Sequence, residues 1–193
     1  MRKVPLLLFG IAMLAFVTAA EAKNRDKSWE FGVMGGLIDN DTIDNPTIDS
    51  ADNSATVGLR FGYNFSAKLE AEAAIDFANT DEGDSSADFL RGTVAITGNF
   101  LTDRETHTIP YLSVGIGVIN QKIDAFTDSM GKMVPEAFDA SALLTFAVGA
   151  RTFFTDVIGA RYEARYFHHD TFNENQDEFA VAVGVTFVVG GAN

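Results

Sequence analysis

The sequence predicts an all-β chain: an eight-stranded antiparallel up-and-down barrel that crosses a membrane, preceded by a cleavable signal peptide. Three observations predict it. The chain opens Met1-Arg2-Lys3, runs apolar from residue 4 to 17, and then offers the small-x-small ends Thr18-Ala19-Ala20 and Ala20-Glu21-Ala22, the charged, apolar and cleavable succession of an export signal. Beyond it, alternation of period two recurs eight times, each time with an apolar side and a small or polar side. The connections between these stretches alternate in kind, the first, third, fifth and seventh long and acidic, the second, fourth and sixth shorter. An up-and-down barrel gathers alternate connections at one end.

Residues 1–22 read as the signal peptide, with cleavage after Ala22, because the apolar run is shorter than the ~20 residues that a spanning helix needs. Residues 23–193 then form one barrel domain, undivided by any linker or shift of composition. The 193-residue chain has no cysteine, so no disulfide or thiolate metal site is available. Its formal charge is −13, and loss of Arg2, Lys3 and Glu21 brings it near −14. Such a chain is repelled by nucleic acid, and no nucleic-acid partner is expected.

In the first strand, residues 29–37, Trp29, Phe31, Val33 and Leu37 oppose Glu30, Gly32, Met34 and Gly36. Residues 39–54, rich in Asp, Asn, Ser and Thr, read as a long loop. The second strand, 56–65, has the cleanest alternation: Val57, Leu59, Phe61, Tyr63 and Phe65 against Thr56, Gly58, Arg60, Gly62 and Asn64. A tight turn at Ser66-Ala67 leads to the third, 68–78, where Leu69, Ala71, Ala73, Ile75 and Phe77 oppose Lys68, Glu70, Glu72, Ala74 and Asp76. Residues 69–74 are built of helix formers, and a helix hairpin is the competing reading there. The charges repeat at two and not at 3.6, which favours strand.

A loop over 79–88 precedes the fourth strand, where Leu90, Val94 and Ile96 share a face, ending near Phe100. The connection 101–108 is short and polar. Pro110 opens the fifth strand, where a missing donor costs little, and Leu112, Val114, Ile116 and Val118 then oppose Tyr111, Ser113, Gly115, Gly117 and Ile119. A third long loop, 124–136, leads to the weakly patterned sixth strand, 138–151. A turn at Phe154-Thr155-Asp156 leads to the seventh, 158–166, and a fourth loop, 168–176, to the last, 178–189. That last strand sets Phe179, Val181, Val183, Val185, Phe187 and Val189 against Glu178, Ala180, Ala182, Gly184, Thr186 and Val188. A dozen residues rising about 3.3 Å each span a tilted crossing of a hydrocarbon layer roughly 25 to 30 Å thick.

Alternation alone does not separate a membrane barrel with a polar filling from a soluble exported barrel with an apolar, lipid-binding cavity. Three features favour the membrane. Glycine and alanine recur on the polar face, which suits a narrow interior. That face carries both signs, Arg60, Lys68, Arg91, Arg151, Arg161 and Arg165 against Glu30, Glu70, Glu72, Asp76, Glu163 and Glu178. Buried charges survive when paired, so an interior charge network is expected among Arg60, Lys68, Glu70, Glu72, Asp76, Arg91, Arg151, Arg161, Glu163 and Arg165. Aromatic residues gather near strand ends, Trp29, Phe65, Phe100, Tyr111, Phe153 and Phe154 toward the short turns and Tyr166 and Phe179 toward the long loops, as interfacial girdles would.

The export signal, the eight strands, the run Pro110-Tyr111-Leu112-Ser113-Val114-Gly115-Ile116-Gly117-Val118, the run Gly159-Ala160-Arg161-Tyr162-Glu163-Ala164-Arg165-Tyr166 and the closing Gly184-Val185-Thr186-Phe187 resemble small bacterial outer-membrane barrels of the OmpA/OmpX type. The resemblance covers essentially the whole mature chain. It implies a monomer in the Gram-negative outer membrane, termini in the periplasm and four acidic loops outside. It also implies contact with outer-membrane lipid and lipopolysaccharide, and with the barrel-assembly machinery through the last strand, whose terminal aromatic matches Phe187. A structural or surface-interaction role follows, in membrane integrity or adhesion, with no enzyme activity and no cofactor.

Rival functions have their own residues. His168-His169-Asp170-Thr171 is similar to the strand-end site of outer-membrane lipid A deacylases, with Thr171 as nucleophile, His169 as base and Glu174 or Asp177 as orienter; no serine lies close by in the sequence. A narrow solute channel is the other rival in the membrane. Asp39-Asn40-Asp41-Thr42-Ile43-Asp44 resembles the opening of a calcium loop but lacks the glycine at position six and an acid at position twelve, so no metal site is assigned. Divalent cations bridging the loop carboxylates to lipopolysaccharide phosphates are a more diffuse alternative to plain solvation.

Overall fold

Side chains that alternate between apolar and polar leave a strand one stable arrangement, with its two faces in different media. A computed structural model describes residues 25–39, 54–82, 85–100, 107–123, 125–127, 133–171 and 174–191. Ten strands follow in chain order: β1 (Ser28–Asp39), β2 (Ser54–Ser66), β3 (Leu69–Glu82), β4 (Ser85–Asn99), β5 (Thr108–Ile123), β6 (Phe126–Thr127), β7 (Met133–Val134), β8 (Ala137–Phe153), β9 (Ile158–Thr171) and β10 (Glu174–Gly190). Eight of them close a barrel in the order β1-β10-β9-β8-β5-β4-β3-β2. Each barrel strand pairs antiparallel with its sequence neighbour, and β1 closes the ring on β10, from Ser28 opposite Gly190 to Asp39 opposite Phe179. Closure removes the unpaired edges, whose backbone groups would find no hydrogen-bond partner in lipid. The strands β6 and β7 form a small separate ribbon within the β5–β8 connection.

The two faces resolve the choice between a membrane barrel and its soluble counterpart. Phe31, Val57, Leu59, Val94, Leu112, Ile116, Phe146 and Val185 all point outward and stay largely exposed. The interior holds Arg60, Glu72, Arg151, Arg161 and Glu163, all buried. The apolar face is the outside, so an apolar ligand cavity inside the barrel is ruled out. The 69–74 segment is strand: Glu70 and Glu72 turn inward while Ala71 and Ala73 turn outward, and pairing with β2 and β4 overrides their helix propensity.

Three of the four expected long loops shrink. β3 and β4 keep pairing to Glu82 opposite Ser85, so most of the 79–88 stretch is hairpin. β9 and β10 keep pairing to Thr171 opposite Glu174, which turns most of the 168–176 stretch into strand. The 124–136 stretch carries the β6–β7 ribbon. Polar and acidic residues stand here where the sheet continues past the apolar band into water, a change of medium and not of secondary structure. Residues 1–24, with the expected signal peptide, and residues 40–53, with most of the calcium-like run, lie outside the described residues.

Two apolar layers close the interior around its charged middle. Ile109, Phe153 and Val188 cluster at the short-turn end. Ile38, Ala78, Phe89, Ile119, Leu143, Phe167 and Ala180 cluster toward the long-loop end. Phe153 is therefore a buried plug residue, 3% exposed, and not part of an outer girdle. Tyr111, 1% exposed, also faces inward. Both stand on the inward parity of their strands, which outranks their position near a strand end. Trp29, Phe65, Phe100 and Phe154 do project outward at the short-turn end, and Phe179 at the other. Trp29 packs against Phe61 and Tyr63 with ring centroids 5.1 and 4.6 Å away.

Candidate functional site

The side chains that carry charge inside the barrel come from seven of its eight strands or their leads, because each strand contributes every second residue to one narrow space. Among the described residues the buried charges are Arg25, Arg60, Arg91, Arg151, Arg161 and Arg165 against Glu30, Glu70, Glu72, Asp76, Glu163 and Glu178. Six cations against six carboxylates leave the interior with no formal net charge.

The middle of the network is built on Glu72, Tyr111, Arg161, Glu163 and Arg165. Arg161 reaches Glu72 at 2.5 Å and Glu163 at 2.7 Å. Arg165 reaches the other oxygens of the same two carboxylates, at 3.2 and 2.9 Å. Tyr111 donates to Glu163 at 2.7 Å and accepts from Arg161 Nε at 2.8 Å. Arg60 joins from β2, 2.8 Å from Asp76 and 3.5 Å from Glu163. Toward the short-turn end Arg151 links Glu30 at 2.8 Å, Glu70 at 2.7 Å and the side-chain oxygen of Asn99 at 2.9 Å. Glu30 in turn pairs with Arg25 and accepts a 2.7 Å hydrogen bond from Thr186. Arg25 also lies over the Phe153 ring, 4.5 Å from its centroid.

A second, smaller group sits at the long-loop end. Arg91 passes between the Phe89 and Phe167 rings, 5.2 Å from each centroid, and binds Glu178 at 2.6 Å. His169, also buried, stands 3.4 Å from the other Glu178 oxygen.

Of the ten residues expected in the network, the structure brings nine into these interior pairs. Lys68 is the exception. It sits exposed between β2 and β3, where the chain has left the barrel wall and alternation no longer fixes a side chain inside. Arg25, Glu30, Tyr111, His169 and Glu178 belong to these groups as well. Glu30 and Glu178 stand among the polar-face charges that the sequence shows, and Tyr111 and His169 have the inward parity of their strands. Arg25 precedes β1, and no periodicity reaches it.

Glycine leaves room for these groups. An added Cβ on Gly62 would stand 2.0 Å from Glu70 Oε1, and one on Gly149 would stand 2.4 Å from the Tyr111 hydroxyl oxygen. The Tyr111 ring thus lies across the bare backbone of its cross-strand partner Gly149.

The residues with catalytic resemblance are divided by the barrel wall. His169 points inward to Glu178, whereas Asp177 points outward and is 2.8 Å from His168 Nδ1 and 2.6 Å from the Tyr166 hydroxyl. The expected base and one of its two expected orienters therefore stand on opposite faces, as neighbours one residue apart on paired strands must. Thr171 and Glu174 are cross-strand partners in the ladder, and their side chains lie outside the described residues. The Tyr166 and His168 hydrogen bonds hold the Asp177 carboxyl below the usual carboxylate range.

The barrel has counterparts of known structure. Neisserial surface protein A is 13% identical, with 83% of this chain and 96% of that chain covered and a TM-score of 0.64. OprG of Pseudomonas aeruginosa is 14% identical over 88% and 99%, with a TM-score of 0.62. Ail, the attachment invasion locus protein of Yersinia pestis, is 12% identical over 85% and 99%, with a TM-score of 0.53. At these identities the likeness is one of fold. No curated protein matches the chain. The outer membrane protein beta-barrel domain, in contrast, matches residues 9–187, nearly the whole chain, and with an apolar exterior around a closed eight-stranded ring this places the protein in that family, as a transmembrane barrel of the bacterial outer membrane.

Proposed function

We propose that this barrel is a closed, non-catalytic anchor that serves at the cell surface, in adhesion or in envelope integrity, through its acidic long-loop end. The observation that carries the reading is the filled interior. Six arginines and six carboxylates, in two groups, fill the interior together with two apolar layers, and opening a passage would strand buried charges at a cost of several kcal/mol each. A barrel that transports nothing acts by what it displays. The hairpins that continue past the apolar band would hold the acidic tips clear of the membrane. Two of the similar folds are a surface protein and an attachment invasion locus protein, in keeping with display as the use of such a barrel. The separation of His169 from Asp177 removes Asp177 as the orienter of the esterase alternative.

In this reading residues 1–22 are removed on export, the termini face the periplasm, and the chain works as a monomer. Lipopolysaccharide surrounds the outer half, and the assembly machinery reads the last strand near Phe187, an outward residue between Phe31 and Ile158. The test is twofold. Purified protein in planar bilayers should give no single-channel steps, and cells should lose surface adhesion when residues 40–53 are replaced by a short neutral turn that leaves the barrel heat-modifiable on gels. Regular conductance steps would overturn the closed anchor, and unchanged adhesion and envelope integrity after the replacement would remove the first loop from the role.

A further inference from the structure

The two charged groups inside the barrel are close but not joined, and the groups at their boundary are incompletely used. Arg91 is fully buried, and only its Nη2 has a carboxylate partner, Glu178. Its Nε and Nη1 have no hydrogen-bond partner. On the other side of the boundary, Asp76 spends Oδ1 on Arg60 and leaves Oδ2 without a hydrogen-bond partner, and Arg60 Nε, 4.0 Å from Glu72, makes no hydrogen bond either. These are buried donors and a buried acceptor, each costing on the order of a hydrogen bond or more if it stays unmade.

The same three residues line one cavity. It has a volume of about 10 Å³ and is bounded also by Thr56, Arg165 and Phe167. That is close to the volume one water molecule needs, and the walls supply the two to four polar partners that keep such a molecule in place. A dry cavity of this size would be lined by carbon alone. A lipid chain or a solute is too large for it.

We infer that this cavity is a binding site for a single internal water molecule, which accepts from Arg91, donates to the free oxygen of Asp76, and so joins the Arg91, Glu178 and His169 group to the central network. The directions fit. Arg91 Nε and Nη1 can only donate, and ionised Asp76 can only accept, so they can be satisfied together by a molecule that does both. With the water in place the polar column runs from His169 to Arg25 through successive contacts. Phe167, Ile38 and Ala180 of the apolar layer line the cavity around the Arg91 side chain, which predicts slow exchange with bulk water.

The experiment is nuclear magnetic resonance of the full-length barrel in lipid nanodiscs with isotope-labelled arginine side chains. An Arg91→Lys variant removes and thereby assigns the Arg91 Nε–H signal. The expected result is an Arg91 Nε–H protected from bulk exchange that shows a direct cross-relaxation peak to water. A protected signal with no water peak would mean a dry cavity and would overturn the site. A signal exchanging as fast as that of an exposed arginine would also overturn it, by showing the region open to solvent. If Arg91→Lys does not fold, a crystal structure of the unaltered protein decides the matter: ordered density within hydrogen-bond distance of both Arg91 and Asp76 Oδ2 supports the site, and direct pairing of those two side chains removes it.

Discussion

Tyr111 donates a 2.7 Å hydrogen bond to Glu163 in the middle of the barrel, and through it an aromatic ring becomes part of an ion-pair network. The same oxygen accepts from Arg161. Replacing the hydroxyl by hydrogen in Tyr111→Phe keeps the ring over Gly149 but leaves Arg161 Nε without an acceptor and takes a donor from Glu163. A hydrogen bond to a charged group is worth about 1.5–3 kcal/mol. Tyr111→Phe should lower the unfolding free energy by roughly that amount in denaturant titrations of the barrel in lipid. An unchanged midpoint would show that the hydroxyl contributes no net stability.

What the sequence shows and what it hides divide along a physical line. Alternation reports which face a residue takes, and so the strands and nearly all of the interior charges were legible. It does not report height along the barrel axis. Nearness to a strand end points Tyr111 and Phe153 to the girdle, although their parity puts them inside. Composition misled in the opposite sense for 79–88 and 168–176, where acid and amide residues look like loop but continue the ladder above the membrane. Lys68 shows the third limit. Parity carries no information once the chain enters a turn.

Glycines inside and outside the wall should respond differently to one added methyl group. A Cβ on Gly62 would meet Glu70 Oε1 at 2.0 Å, inside a space where Glu70 already holds Arg151. Gly35 faces outward with nothing within 4 Å of a Cβ. Gly62→Ala is expected to destabilise by about 1–3 kcal/mol, the usual cost of overpacking. Gly35→Ala should be neutral or slightly stabilising, since a strand residue gains from losing glycine's freedom in the unfolded chain. Paired unfolding curves check both, and equal effects would refute the close approach at Gly62.

The outward face makes a sharper demand. Ile116 is 61% exposed in the middle of β5, between Val114 and Val118. An arginine there would have to leave its charge in hydrocarbon, at a cost of about 2–4 kcal/mol near the midplane. Ile116→Arg should therefore lower both stability in lipid and the yield of heat-modifiable barrel in the outer membrane. A soluble exported barrel would tolerate the same change on an exposed strand, so normal stability would contradict the lipid-facing assignment.

At the long-loop end, the Asp177 carboxyl offers a prediction in pH. Hydrogen bonds from Tyr166 and His168 lower its affinity for a proton relative to the unfolded chain. A group with a depressed folded pKa adds stability that is present above its unfolded value, about 3.9 for Asp, and is lost as the pH falls through the folded value. The contribution is therefore in place at neutral pH and disappears only in acid. The site is exposed, so solvent screening keeps the effect small. Carbon-detected titration of the Asp177 carboxyl should show its midpoint below that of a free aspartate. In Tyr166→Phe, which removes the first cause of the shift, the midpoint should rise toward the ordinary value. A midpoint that Tyr166→Phe leaves in place would show that the Tyr166 hydrogen bond is not what holds the Asp177 carboxyl down.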